Sequence, residues 1–161
     1  MTRMVGCSLA LLVGLLGCRP VSTSSPTSSE AGQAEIRRAL DAFNEASGRG
    51  DLAGVMATFD EQADILLVGS DTGEVYKGRD ATEAQLGRWY KSSGFSWQMD
   101  RVEISRSGDT AWAFVEGKMK VTSKATGQLR FSAPYRFSVV FVNRGGRWLL
   151  HLFHGSAPRP E

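Results

Sequence analysis

The chain has 161 residues, of which 42% are apolar, 22% charged and 9% aromatic, an ordinary globular mixture with room for one domain. Its 19 Lys and Arg against 17 Asp and Glu leave a net charge of +2. So even a balance excludes the basic field that holds nucleic acid by counterion release, and no acidic tail is present.

Arg3 gives the first residues a short cationic start, and residues 5–17 are apolar apart from Ser8. Such a run suits an export signal and is shorter than the about 20 apolar residues that a membrane span needs. It closes on Leu15-Leu16-Gly17-Cys18, which resembles the lipobox of bacterial lipoproteins. The resemblance implies that residues 1–17 are removed as a signal peptide and that Cys18 carries the lipid. The protein would then be exported to the bacterial cell envelope and held on a membrane through that anchor. Met4-Val5-Gly6-Cys7 is similar, but no apolar segment precedes it. Cys7 and Cys18 are the only cysteines, so on this reading no thiol is left for a disulfide and stability rests on the core. The alternative is a plain secretory signal with Cys18 as a free thiol. Residues 18–32, rich in Ser and Thr, read as a tether with a random-coil reach on the order of 20 Å. Residues 33–158 form the expected domain.

Within it, Ile36, Ala39, Leu40, Phe43 and Ala46 recur at helical spacing up to a stop at Gly48-Arg49-Gly50. Asp51 is placed to cap a short second helix carrying Leu52, Val55, Met56 and Phe59. Residues 63–68 and 74–77 read as a hairpin about the turn-rich Gly69-Ser70-Asp71-Thr72-Gly73. Asp80 with Glu83 resembles a capping box for a third helix bearing Leu86, Trp89 and Tyr90. Beyond Gly94 the alternation is that of strands. Phe95, Trp97 and Met99 change phase against Val102 and Ile104, which predicts a bulge near Asp100-Arg101. Ala111, Ala113 and Val115 form one apolar face, whereas Trp112, Phe114, Glu116, Lys118 and Lys120 form a face that turns polar. Tyr135, Phe137, Val139 and Phe141 alternate along a long strand. In the last strand Trp148, Leu150, Leu152, His154 and Ser156 share one face, and Leu149 and Phe153 the other. Three helices followed by four long antiparallel strands make an α+β domain.

The order Gly50-Asp51-Leu52, Gly78-Arg79-Asp80-Ala81, Ser107-Gly108-Asp109-Thr110-Ala111-Trp112, Gly146-Arg147-Trp148 and His154-Gly155-Ser156 resembles the SnoaL-like domains of the nuclear transport factor 2-like superfamily. That resemblance implies helices packed in a strongly curved sheet around a conical pocket, and commonly a homodimer through the outer sheet face. The second apolar face of the last strand, with Leu149 and Phe153, agrees with such a partner surface. The fold hosts isomerases, cyclases, dehydratases and binding modules, so function has to be argued from the site. Ketosteroid isomerase on this fold uses a tyrosine of the first helix and an aspartate near the first hairpin. Superposing its pattern puts Phe43 and Leu67 there, and neither transfers a proton.

The resemblance places His154 at the pocket, where a histidine can exchange protons near neutral pH, with Asp64 or Glu116 as acidic partner. The competing reading makes His154 a strand-end cap and puts Glu116 at the water boundary beside Lys118 and Lys120. Tyr76, Trp89, Tyr90, Trp97, Trp112, Arg136 and Trp148 are the candidate pocket residues, which core packing explains equally well. His151 and His154 point to opposite strand faces, so neither a metal site nor a cofactor is expected. Three readings remain: a tethered domain binding a small apolar ligand, an enzyme using His154, and a dimerising interaction module.

Overall fold

The structure, a computed structural model, describes residues 28–62 and 64–158; the expected signal segment and Cys18 lie outside them. Helix α1 (Ser28–Gly48) begins inside the segment expected as tether, and Gly32 of its first turns is buried against the Arg106 side chain. Its Ile36, Leu40, Phe43 and Ala46 stripe is buried, as the spacing requires. Each large side chain so buried contributes about 1.5–3 kcal/mol. Asp51 caps α2 (Leu52–Met56) by accepting from the Gly54 N–H at 2.9 Å.

The hairpin β1 (Leu66–Val68) and β2 (Val75–Lys77) follows, then α3 (Arg79–Tyr90). The N-cap of α3 is Gly78 at φ 85°, not Asp80, which lies within the first turn. Gly78 donates its N–H to the Ile65 carbonyl at 2.8 Å, so the chain leaves the hairpin in a conformation that favours glycine and enters the helix two residues early.

Strands β3 (Ser93–Ser107), β4 (Thr110–Ser123), β5 (Leu129–Arg144) and β6 (Arg147–Ser156) complete one sheet in the order β2-β1-β6-β5-β4-β3. Of these six strands, β1 and β6 alone pair in parallel. Register shifts fall between Met99 and Arg101, where the sequence places a bulge, between Val121 and Thr122, and between Val140 and Phe141. Bulges of this kind bend the sheet, which curves around α1.

The third shift alters the expected faces of β6. Val140 pairs with Leu152 and Phe141 with Leu150, leaving His151 out of the ladder. One extra residue reverses the alternation, so Trp148 and Leu150 face the core together with Phe153 rather than with Leu152 and His154. Phe153 is therefore not on the outer face, and Leu149 is buried within the chain. The outer face instead carries the row Trp112, Val140, Leu152 and Leu66, in register across β4, β5, β6 and β1. At the free end of β5, Leu129 and Phe131 are exposed.

Candidate functional site

Between α1, α3 and the inner face of the sheet lies a cavity of about 220 Å³. Its walls are aromatic: Phe43, Trp89, Tyr90, Phe95, Trp97, Tyr135 and Phe153 make up half of its 14 lining residues, and Leu67, Leu86 and Met119 fill gaps between them. Phe43 stacks on Trp97 at 5.5 Å between ring centres, and Trp97 in turn lies 5.8 Å from Phe153. Asn44 fixes Trp97 through the backbone, donating to its carbonyl at 3.0 Å and accepting from its N–H at 2.8 Å. The Tyr90 hydroxyl pairs with Ser47 at 2.7 Å, and burial pushes its phenol up to about 12 against that hydrogen bond. The Trp97 indole Nε1–H is buried and has no hydrogen-bond partner among the described residues.

One end of the cavity is polar, lined by Ser70, Asp71 and Glu74 of the β1–β2 turn and by Tyr135. Burial raises the Tyr135 phenol, the Glu74 and Asp71 carboxylates raise it further, and a hydrogen bond with Ser70 opposes them. The phenol thus stays neutral. Its hydroxyl rests on Gly155, where a Cβ would collide with the ring. Glu74 accepts from the Asp71 N–H at 3.1 Å, which ties the Glu74 carboxylate to the turn at this end.

Of the residues marked from sequence, Trp89, Tyr90 and Trp97 line the cavity. Tyr76 stands edge-on to Trp89 at 6.2 Å, behind the wall. Trp148 packs at the opposite end of the core, donating to Glu35 at 3.3 Å with Arg106 5.0 Å over its ring. Trp112 is 49% exposed on the outer face, and Arg136 is exposed opposite Glu116.

His154, Asp64 and Glu116 do not come together. His154 is exposed on the outer side of β6, between Ser138 and Val68, because the bulge turns it away from the cavity. Glu116 meets Arg101 at 3.7 Å near water. Asp64 finds the other histidine, His151 Nε2, at 3.7 Å. His151 Nδ1 lies 3.3 Å from the buried Asp60, which also accepts from Arg144 at 2.9 Å and 3.3 Å. Burial opposes ionisation of Asp60, but hydrogen bonds from Arg144 and His151 outweigh it and hold the carboxyl below its usual range. This cluster contributes nothing to the cavity lining. Among the described residues, no group of three His, Cys, Asp or Glu is arranged to hold a metal ion.

Ser70, Asp71, Glu74 and Tyr135 are the polar cavity groups that the sequence did not mark. The first three lie in or beside a segment whose composition signals only a turn, and Tyr135 falls on the apolar face of its strand. Phe43 and Leu67, the positions superposed on the isomerase tyrosine and aspartate, both line the cavity as apolar wall.

Residues 36–160 match the family model described as the SnoaL-like domain. No curated protein matches the chain in sequence. Among solved structures, the fold resembles a candidate dehydratase of the NTF2-like family from Streptomyces avermitilis, with a TM-score of 0.71 and 18% identity over 81% of this chain and 99% of that one. An NTF2-like superfamily protein from Salmonella enterica gives a TM-score of 0.70 at 14% identity, covering 83% and 95% of the two chains. A ketosteroid isomerase-like protein from Erwinia carotovora atroseptica gives 0.60 at 26% identity, covering 79% and 96%.

Proposed function

The chain belongs to the SnoaL-like domain family over residues 36–160, and from that premise we propose that it is a membrane-tethered domain that takes a small, largely apolar ligand into its aromatic cavity. The observation that carries this reading is the lining itself, in which seven aromatic rings and three aliphatic or thioether side chains surround about 220 Å³. An apolar cavity of about 150 Å³ already accepts benzene, so this one has room for a ligand of one to two rings. Isomerase chemistry receives no support, since Phe43 and Leu67 are the wall residues at the positions in question. The test is the protein purified from its own cells and sprayed under native and denaturing conditions. A small organic mass that leaves on denaturation, and that is absent from a cavity-filled Leu86→Trp protein, is expected. An empty wild-type protein that also takes up no aromatic probe would overturn the reading.

The tether belongs to the same proposal and draws on Leu15-Leu16-Gly17-Cys18 ahead of the Ser/Thr-rich segment. Among the described residues no helix is long and apolar enough to cross a membrane. Cys18→Ala should abolish incorporation of acyl label and release the protein from the membrane fraction; unchanged label and fractionation would contradict the anchor. A homodimer through the outer face of the sheet completes the proposal. Its support is the row Trp112, Val140, Leu152 and Leu66, with Val75 60% exposed on the neighbouring strand β2.

A further inference from the structure

We infer that the ligand of the cavity is a cation, an aromatic or otherwise apolar amine whose ammonium group sits at the Asp71–Glu74 end. The inference rests on the ligand-binding reading above and adds the charge. Two of the 14 lining residues are carboxylates and none is cationic. Charge at this end is therefore complementary to one sign only, since a carboxylate or phosphate ligand would meet Asp71 and Glu74 with no compensating cation in the lining. Among the described residues neither carboxylate forms an ion pair, and Glu74 accepts a backbone N–H from Asp71, which leaves further lone pairs on both side chains.

The surroundings reinforce the same sign. The Tyr135 phenol is neutral, feels both carboxylates and is tied to Ser70, so its ring face and oxygen are what it offers an ammonium ion. Tyr90, Trp89 and Trp97 supply electron-rich ring faces deeper in the wall. Aromatic faces attract a cation most when it is shielded from water, and this arrangement passes from an acidic rim to an aromatic interior. An amine on a short stem behind one or two rings satisfies both parts at once.

Three probes of nearly the same shape test this: tryptamine, tryptophol and indole-3-acetate, which are cationic, neutral and anionic at pH 7. Binding is measured by titration calorimetry on the full chain. Tryptamine is expected to bind about tenfold tighter than tryptophol, and indole-3-acetate more weakly than either. In the Asp71→Asn/Glu74→Gln protein the tryptamine advantage should fall to within about threefold, with tryptophol binding kept as the control for an intact cavity. Tryptophol binding as tightly as tryptamine, or an undiminished preference in the double variant, would overturn the cationic assignment while leaving the apolar cavity standing. If none of the three binds, the ligand-binding reading falls and this inference falls with it.

Discussion

His151 Nδ1 and Asp60 Oδ2 lie 3.3 Å apart although 91 residues separate them in sequence, and this pairing is built around the bulge of β6. Asp60 itself donates its N–H to the Leu150 carbonyl at 2.8 Å, so the aspartate grips β6 by backbone and side chain at the point where the alternation reverses. That reversal is what delivers Phe153 to the cavity wall. A structural pair outside the cavity thus sets the phase of a strand that lines it.

Asp60→Asn should lower stability by about 1–3 kcal/mol, less than for a fully buried pair because Arg144 is half exposed. The Asp60 carboxyl is depressed when folded, so its contribution is present above the usual carboxylate range and is lost as pH falls through its folded value. Wild type should therefore lose stability below about pH 4 more steeply than Asp60→Asn. Denaturant midpoints measured from pH 3 to 7 check this, and parallel curves for the two proteins would remove Asp60 from the account.

Tyr90 gives the opposite sign at the other end of the scale. Its phenol is raised from 10.0 to about 12 in the folded chain. Its contribution is complete below 10 and disappears as pH rises through the folded value. Tyr90→Phe should flatten the alkaline loss of stability between these values. At neutral pH it should cost about 1–3 kcal/mol, because the wholly buried Ser47 hydroxyl loses its partner. Thermal melts at pH 7 and pH 11 separate the two effects.

Thr82 is fully buried on α3 and its hydroxyl has no hydrogen-bond partner among the described residues. Thr82→Val keeps the shape and removes the orphan, so stability should rise by about 1 kcal/mol. A fall of similar size in chemical denaturation would mean that the hydroxyl is satisfied after all.

On the outer face, Trp112→Glu places a charge in the middle of the apolar row while leaving the core alone, since Trp112 is 49% exposed. In the Cys18→Ala background, light scattering should give a dimer for the parent and a monomer for Trp112→Glu. A monomeric parent at high concentration contradicts the dimer.

The elements were legible wherever a periodicity ran unbroken. The α1 stripe, the Asp51 cap and the bulge beside Arg101 all leave local traces in the sequence, as do Trp89 and Tyr90 on α3. What the sequence hid is the bulge at His151, because Trp148, Leu150, Leu152 and His154 alternate perfectly through it; only pairing with β5 and the grip of Asp60 reveal the extra residue. The pocket position that the resemblance implied for His154 is not where the chain puts it, because beyond this bulge the side chain lies exposed on the outer side of β6. Asp71 and Glu74 escaped notice for another reason: turn-forming composition specifies a bend, and which surface a bend covers is decided by its packing against β5, whose Tyr135 is far away in sequence.

The four tryptophans provide the most direct measurement of ligand binding in the cavity, since Trp89 and Trp97 line it while Trp112 and Trp148 lie elsewhere. In an ¹⁵N-labelled protein titrated with tryptophol, the indole N–H resonances of Trp89 and Trp97 should shift together and saturate at one ligand per chain, with Trp112 and Trp148 unmoved. Shifts confined to Trp112 or Trp148, or no saturable shift at all, would contradict a ligand site in this cavity.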